Sequence, residues 1–249
     1  QRIVAIGDLH GDYDQALKVL QLSKVVDKKA KWIGGDKTIL IQTGDVVGHG
    51  KDTKKLYSLF QRLASEATEK GGYVVNILGN HELMNLWEDY TYISEEEIET
   101  FDGLENRKME FKEGEIGKYL RELPLVEQIG DTIFAHGGIH PMWAKVGMWF
   151  INSETKRTLQ TYDDPLDLKN VTAFGAYGPA WFRGHGFDPE VQACKELKES
   201  LALLKAKRIV VGHALQDSGR ITPRCDGRVL LIHVGISKKV KGKLAALEM

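Results

Sequence analysis

Arg2-Ile3-Val4-Ala5-Ile6-Gly7-Asp8-Leu9-His10-Gly11 sets a short apolar run, rich in β-branched residues, directly before a glycine, an aspartate and a histidine. The run is too short for a helix and reads as a strand over 2–6. Ala16, Val19, Leu20 and Leu22 then recur at helical spacing over 13–22. The unit repeats. A strand over 38–42 and a loop over 43–50 precede a helix near 53–68, with Leu56, Leu59, Phe60 and Leu63 turned inward. A third strand over 73–78 runs into Gly79 and Asn80, and further strands fall at 132–135, 208–211 and 229–234, with a helix over 191–204. This alternation predicts the α/β class, with βαβ layering around a mostly buried sheet.

The remaining features bound the class. A chain of 249 residues can bury one large core, and no linker or repeat divides it, so a single domain over 1–249 is expected. The stretch from about 86 to 127 carries Glu95, Glu96, Glu97 and Glu99 with several lysines, and reads as a helical cap-like insertion whose acidic run is a solvated face. A net charge of -1 and no basic stripe argue against nucleic acid as a partner. No apolar run approaches the roughly 20 residues of a membrane span. Cys194 and Cys225 are too few for a disulfide framework; they read as free thiols in a reducing compartment, with one disulfide between them as the alternative. No signal peptide is visible, which favours a soluble, cytoplasmic protein. Because the chain opens almost directly on a strand, an organelle after removal of a leader is the alternative.

The chemistry gathers where strands end. Gly7-Asp8-Leu9-His10-Gly11, Gly44-Asp45, Gly79-Asn80-His81-Glu82, His136-Gly137-Gly138 and Gly212-His213 each follow a predicted strand. Ligand sites of α/β sheets lie beyond the carboxyl ends of the strands, so these residues converge in space. Any one of them alone is more often a turn or a packed histidine. Five together are not. Carboxylate, amide oxygen and imidazole suit manganese, iron or zinc, and a carboxylate can bridge two such ions for attack on an anionic phosphate.

These motifs resemble the phosphoprotein phosphatases within the calcineurin-like metallophosphoesterase superfamily. Details are similar to the Shewanella-like protein phosphatases: Asn80 to Leu86, Gly178 to Gly184, and Cys225-Asp226-Gly227-Arg228. The resemblance implies a layered β-sandwich flanked by helices and two divalent ions, manganese, iron or zinc. By position, Asp8 and His10 would bind the first ion, Asp45 would bridge, and Asn80, His136 and His213 would hold the second. A two-metal-activated hydroxide would attack, His81 would be the general acid and Arg183 would bind the phosphate. The substrate implied is a phosphorylated protein or small phosphate monoester, with phosphotyrosine ahead of phosphoserine.

The chain departs from that pattern at two places. Where the family has Asp-Arg-Gly, it has Gly48-His49-Gly50, which removes an aspartate that orients the acid histidine and an arginine that grips phosphate. His49 can bind phosphate in the arginine's stead only when protonated, and losing one charge-assisted contact costs roughly 1.5–3 kcal/mol. His233 stands where an aspartate is more usual. Two alternatives follow: a dinucleoside polyphosphate or polyphosphate hydrolase, and a phosphate-binding protein with weakened catalysis.

Overall fold

The computed structural model describes residues 1–162 and 164–249. It begins β1 (Arg2–Ile6), α1 (Tyr13–Leu22), β2 (Thr38–Gln42), α2 (Thr53–Glu69) and β3 (Tyr73–Asn76). α3 (Asn80–Leu86) leads to three short helices, α4 (Glu95–Thr100), α5 (Leu104–Lys112) and α6 (Glu115–Leu120). β4 (Val126–Ile129) and β5 (Thr132–Ala135) follow, then α7 (Pro141–Val146), α8 (Met148–Thr161), α9 (Pro165–Lys169), α10 (Gly184–Phe187) and α11 (Glu190–Leu204). The chain closes with β6 (Arg208–Val211), β7 (Thr222–Arg224), β8 (Val229–Leu231) and β9 (Leu247–Glu248).

The alternation predicts one sheet, and the structure has two, in the orders β3-β2-β1-β9 and β4-β5-β6-β8-β7. Their central strands are apolar on both faces. Ala5, Ile39, Ile41 and Val75 of the first sheet, with Ile77 just past β3, share a buried cluster with Phe134 and Val210 of the second and Ile232 just past β8. Val4, Ile6 and Leu40 belong instead with Ala16, Val19 and Leu20 of α1 and Leu56 and Leu63 of α2. Period-two patterning states that both faces are buried, but not that one of them meets another sheet. The layered sandwich flanked by helices that the resemblance implies is the arrangement that forms. β1, β2 and β3 run parallel, as do β5, β6 and β8, so all six carboxyl ends point toward one edge of the sandwich.

Two predicted strands stop early, at Asn76 and at Leu231. In both the chain leaves the ladder within a few residues and turns toward that edge. In the segment after α3, Glu97 corrects the expectation of a solvated acidic face: Glu95, Glu96 and Glu99 are exposed, but Glu97 is fully buried. Its Oε1 accepts from Nε and Nη2 of the equally buried Arg107, at 3.1 and 2.9 Å. The Arg107 guanidinium lies over the Phe111 ring at 4.4 Å.

The cysteines are also corrected. Cys194 of α11 and Cys225 of the β7–β8 turn form a disulfide, with Cα atoms 5.3 Å apart across 31 positions. Residue counting does not see that α11 packs where β7 turns, and the reducing compartment inferred from free thiols loses its basis. Beside it, Arg224 donates to the carbonyls of His185 and Asp188 at 2.8 and 2.7 Å, which ties the same turn to α10. Among the described residues, no helix is long and apolar enough to cross a membrane.

Closing a loop of this size is worth roughly 2–4 kcal/mol. A Cys194→Ser/Cys225→Ser variant is therefore expected to lose that much unfolding free energy in denaturant titrations without reductant. An unchanged midpoint would show that the bond does not form in solution. His185 adds a pH dependence: it has no exposure, and burial pushes its pKa down from 6.5 to about 4. A depressed histidine stabilises the fold fully above the unfolded value, and that stability is lost as pH falls from 6.5 through 4. The loss approaches roughly 3 kcal/mol. Denaturant midpoints at pH 7 and pH 4.5 should therefore converge more for His185→Gln than for the unmodified chain.

Candidate metal centre

Asp8 and His10 follow β1, Asp45 follows β2, and Asn80 opens α3 after β3; His136 follows β5, His213 follows β6 and His233 follows β8. His10, Asp45, His49 and His213 hold φ of 45°, 56°, 58° and 55°. Left-handed backbone at four non-glycine residues of one edge is strain kept in place by the packed strands on either side.

Two ligand sets result. Asp8, His10 and His233 bring one donor atom each within 4.8 Å of one another, and so do Asp45, His136 and His213. Asp45 stands between them. Its Oδ1 lies 3.3 Å from His136 Nε2, and its Oδ2 lies 3.9 Å from His10 Nε2 and 3.7 Å from His81 Nε2. Asn80 joins the second set through Oδ1, 2.9 Å from His136 Nε2. The Thr43 carbonyl accepts from His136 Nδ1 at 2.8 Å, which turns Nε2 toward Asn80 and Asp45.

Electrostatics favour cations here. Burial raises the Asp45 carboxyl, but His136 and His81 outweigh it and hold it well below the usual range. Burial lowers His136, yet the attraction of Asp45 lifts it to about 9. His213 goes down to about 2 through burial and then through His136. Asp8 and Asp45 are 1% and 2% exposed, and among the described residues neither has a lysine or arginine in ion-pair contact. Two buried carboxylates ringed by imidazoles, with no lysine or arginine paired to either carboxylate among the described residues, fit a pair of divalent ions.

Glu82 holds this geometry. Its Oε2 accepts from the backbone N–H of Asp45 at 2.7 Å and of Gly79 at 2.8 Å. Its Oε1 accepts from Val46 at 2.9 Å, Val47 at 3.2 Å and the Tyr57 hydroxyl at 2.9 Å. Gly79 permits the approach: a Cβ there would stand 2.2 Å from Asp45 Oδ1. Burial raises the Glu82 carboxyl, with Asp45 adding to the rise.

The centre opens on a cavity of about 300 Å³ that includes His49, His81, Tyr92, Trp181, Arg183 and Phe187 in its walls. A roomier hollow of about 500 Å³ beside α2 and α4 mixes Lys51, Lys54 and Lys55 with Glu96 and Glu99, and among the described residues no ligand set faces it. Arg183 is exposed and donates from Nε to His213 Nε2 at 2.7 Å. The His49 ring lies 4.7 Å from that of His10, and burial, then His81, lower its pKa. At neutral pH it is an imidazole and not a cation.

All nine residues singled out in the sequence therefore meet at one edge. His233 and Glu82 were the ones without a role. His233 Nε2 lies 3.5 Å from Asp8 Oδ2; the strand expected over 229–234 enclosed it, and only because that strand ends at Leu231 does the side chain reach the centre. Glu82 is the third residue of α3, where a carboxylate reaches back to the N-cap N–H.

The family model described as calcineurin-like phosphoesterase matches residues 1–217. The chain belongs to this family. It is a phosphoric-ester hydrolase, and the family uses a binuclear metal centre. It is 32% identical over 244 residues to Shewanella-like protein phosphatase 1 of Plasmodium berghei, covering 95% of this chain and 67% of that one. It is 27% identical over 293 residues to Shewanella-like protein phosphatase 2 of Arabidopsis thaliana, covering 96% and 72%. Among solved structures, the cold-active protein-tyrosine phosphatase of a psychrophilic Shewanella species superposes with a TM-score of 0.87 at 26% identity, covering 100% of this chain and 75% of that one.

Removing the Glu82 carboxylate leaves several buried N–H groups of the phosphatase unpaired. Glu82→Ala is expected to cost roughly 3–5 kcal/mol and to lower the metal retained per chain. Elemental analysis after dialysis, with a parallel denaturant titration, reads both. Full metal content at unchanged stability would refute the role given to Glu82.

Proposed function

We propose that this phosphatase removes phosphate from proteins, with phosphotyrosine preferred over phosphoserine. The observation that carries the reading is the shared position of Asp45 between two ligand sets, at the floor of a cavity whose walls include both Arg183 and His81. Asp8, His10 and His233 would hold one ion, Asn80, His136 and His213 the other, and Asp45 both. When bound, such ions supply Lewis-acid charge to phosphoryl oxygens and lower the pKa of water to yield a nucleophile near neutral pH.

The chain's own groups do the rest. The Arg183 guanidinium, free to leave His213, fits two phosphate oxygens at once. His81 presents Nε2 to the cavity and gives its proton to the departing oxygen, since a phenol or alcohol leaves more readily than its anion. His49, neutral at working pH, contacts phosphate only as a hydrogen-bond donor. Preference for tyrosine is supported by Trp181 and Phe187 in the cavity wall, the latter 57% exposed, and by the similarity to the Shewanella protein-tyrosine phosphatase.

Phosphate release from a phosphotyrosine peptide, a phosphoserine peptide and a dinucleoside tetraphosphate tests this, with manganese and with chelator. We expect metal-dependent turnover abolished in Asp45→Asn, and a tyrosine preference of roughly tenfold, the scale of one aromatic contact. Equal rates on the two peptides would remove the tyrosine preference. Faster cleavage of the tetraphosphate would favour a polyphosphate hydrolase.

A further inference from the structure

His81 differs from His10, His136 and His213 in what holds its ring. His136 is fixed by the Thr43 carbonyl, His213 Nε2 accepts from Arg183 Nε, and His10 Nδ1 lies 3.4 Å from the Val47 carbonyl. The His81 backbone is equally well held: its N–H donates to Asp45 Oδ1 at 2.9 Å and its carbonyl accepts from Asn85 Nδ2 at 2.7 Å. Its ring is another matter. Among the described residues no hydrogen bond reaches it, and Asp45 Oδ2 lies 3.7 Å from Nε2. Nδ1 faces Gly48, where a Cβ would stand 2.3 Å away. At that ring position no side chain fits at residue 48, so no orienting group can come from there.

Tyr92 covers the ring instead. The two rings are stacked, with centroids 4.9 Å apart and planes at 30°. Tyr92 is anchored to the loop that bears Gly48, since its carbonyl accepts from the His49 N–H at 2.8 Å. It is also 45% exposed and part of the cavity wall, so packing into the core does not account for it. We infer that Tyr92 is a positioning residue: its ring face, in place of a hydrogen bond, holds the His81 imidazole with Nε2 toward the leaving oxygen. The inference rests on His81 being the general acid. A stack of this kind biases a ring's orientation by roughly 2- to 13-fold.

The test uses the metal-loaded protein, phenyl phosphate as an ester whose leaving group needs a proton, and dinitrophenyl phosphate as one that does not. Tyr92→Ala should lower kcat on phenyl phosphate by roughly 2- to 13-fold with little change in KM, and affect dinitrophenyl phosphate less. Tyr92→Phe, which keeps the ring, should restore the rate. In a His81→Asn background, Tyr92→Ala should add nothing. Equal losses on both esters, a change in KM alone, or additive losses with His81→Asn would overturn the inference, since each describes a wall that merely binds substrate. Ring order is read apart from turnover: the His81 imidazole resonances should broaden or average in Tyr92→Ala and stay sharp in Tyr92→Phe. Unchanged resonances in Tyr92→Ala overturn the inference as well. If His81→Asn cleaves phenyl phosphate at the unmodified rate, the general-acid reading fails by itself, and the imidazole spectrum alone decides whether Tyr92 orders the ring.

Discussion

The centre depends on one buried carboxylate. Glu82 accepts four backbone N–H groups and a tyrosine hydroxyl, and those N–H groups belong to two chain segments far apart in sequence. One segment carries Asp45, the other Asn80 and His81. Without the carboxylate, these donors would face each other across a dry interior, where unpaired amides are costly. With it, the loop after β2 and the start of α3 behave as one rigid piece. The raised affinity of Glu82 for a proton shows how unfavourable its charge is by itself, and the surrounding donors are what keep that charge in place.

A second constraint is conformational. Several side chains that face the centre hang from left-handed backbone, and neighbouring glycines admit contacts closer than any Cβ allows. Such turns aim side chains in directions that a regular strand end cannot. The strands supply the stability that keeps these turns from relaxing, so the order of the sandwich and the aim of the ligands are two sides of one arrangement.

Much of this was legible in the sequence, and what was not has physical reasons. Strands were visible because β-branched runs such as Arg2 to Ile6 end abruptly at glycine, and the convergence of their ends followed from the class. Pairing was not visible: nothing local in Phe134 or Val210 says that it meets Ile41 across a second sheet. β9 pairs with β1 through Leu247 and Glu248, two residues with no strand signature. Glu97 looked like its exposed neighbours because burial depends on Arg107, ten positions on. The disulfide, His233 and Tyr92 were hidden for the same reason, each acquiring its meaning from a partner distant in the chain. Gly48 read as a loss, whereas in the fold its bare Cα is the space that the His81 ring faces.

The ligand sets draw on both halves of the sandwich. Asp8, Asp45 and Asn80 come from segments beyond the first sheet, and His136, His213 and His233 from segments beyond the second. An ion held across that seam would cross-link the halves. By mass action, an ion present at a hundred times its dissociation constant adds about 2.7 kcal/mol to the folded state. Melting temperature would then become a gauge of metal occupancy.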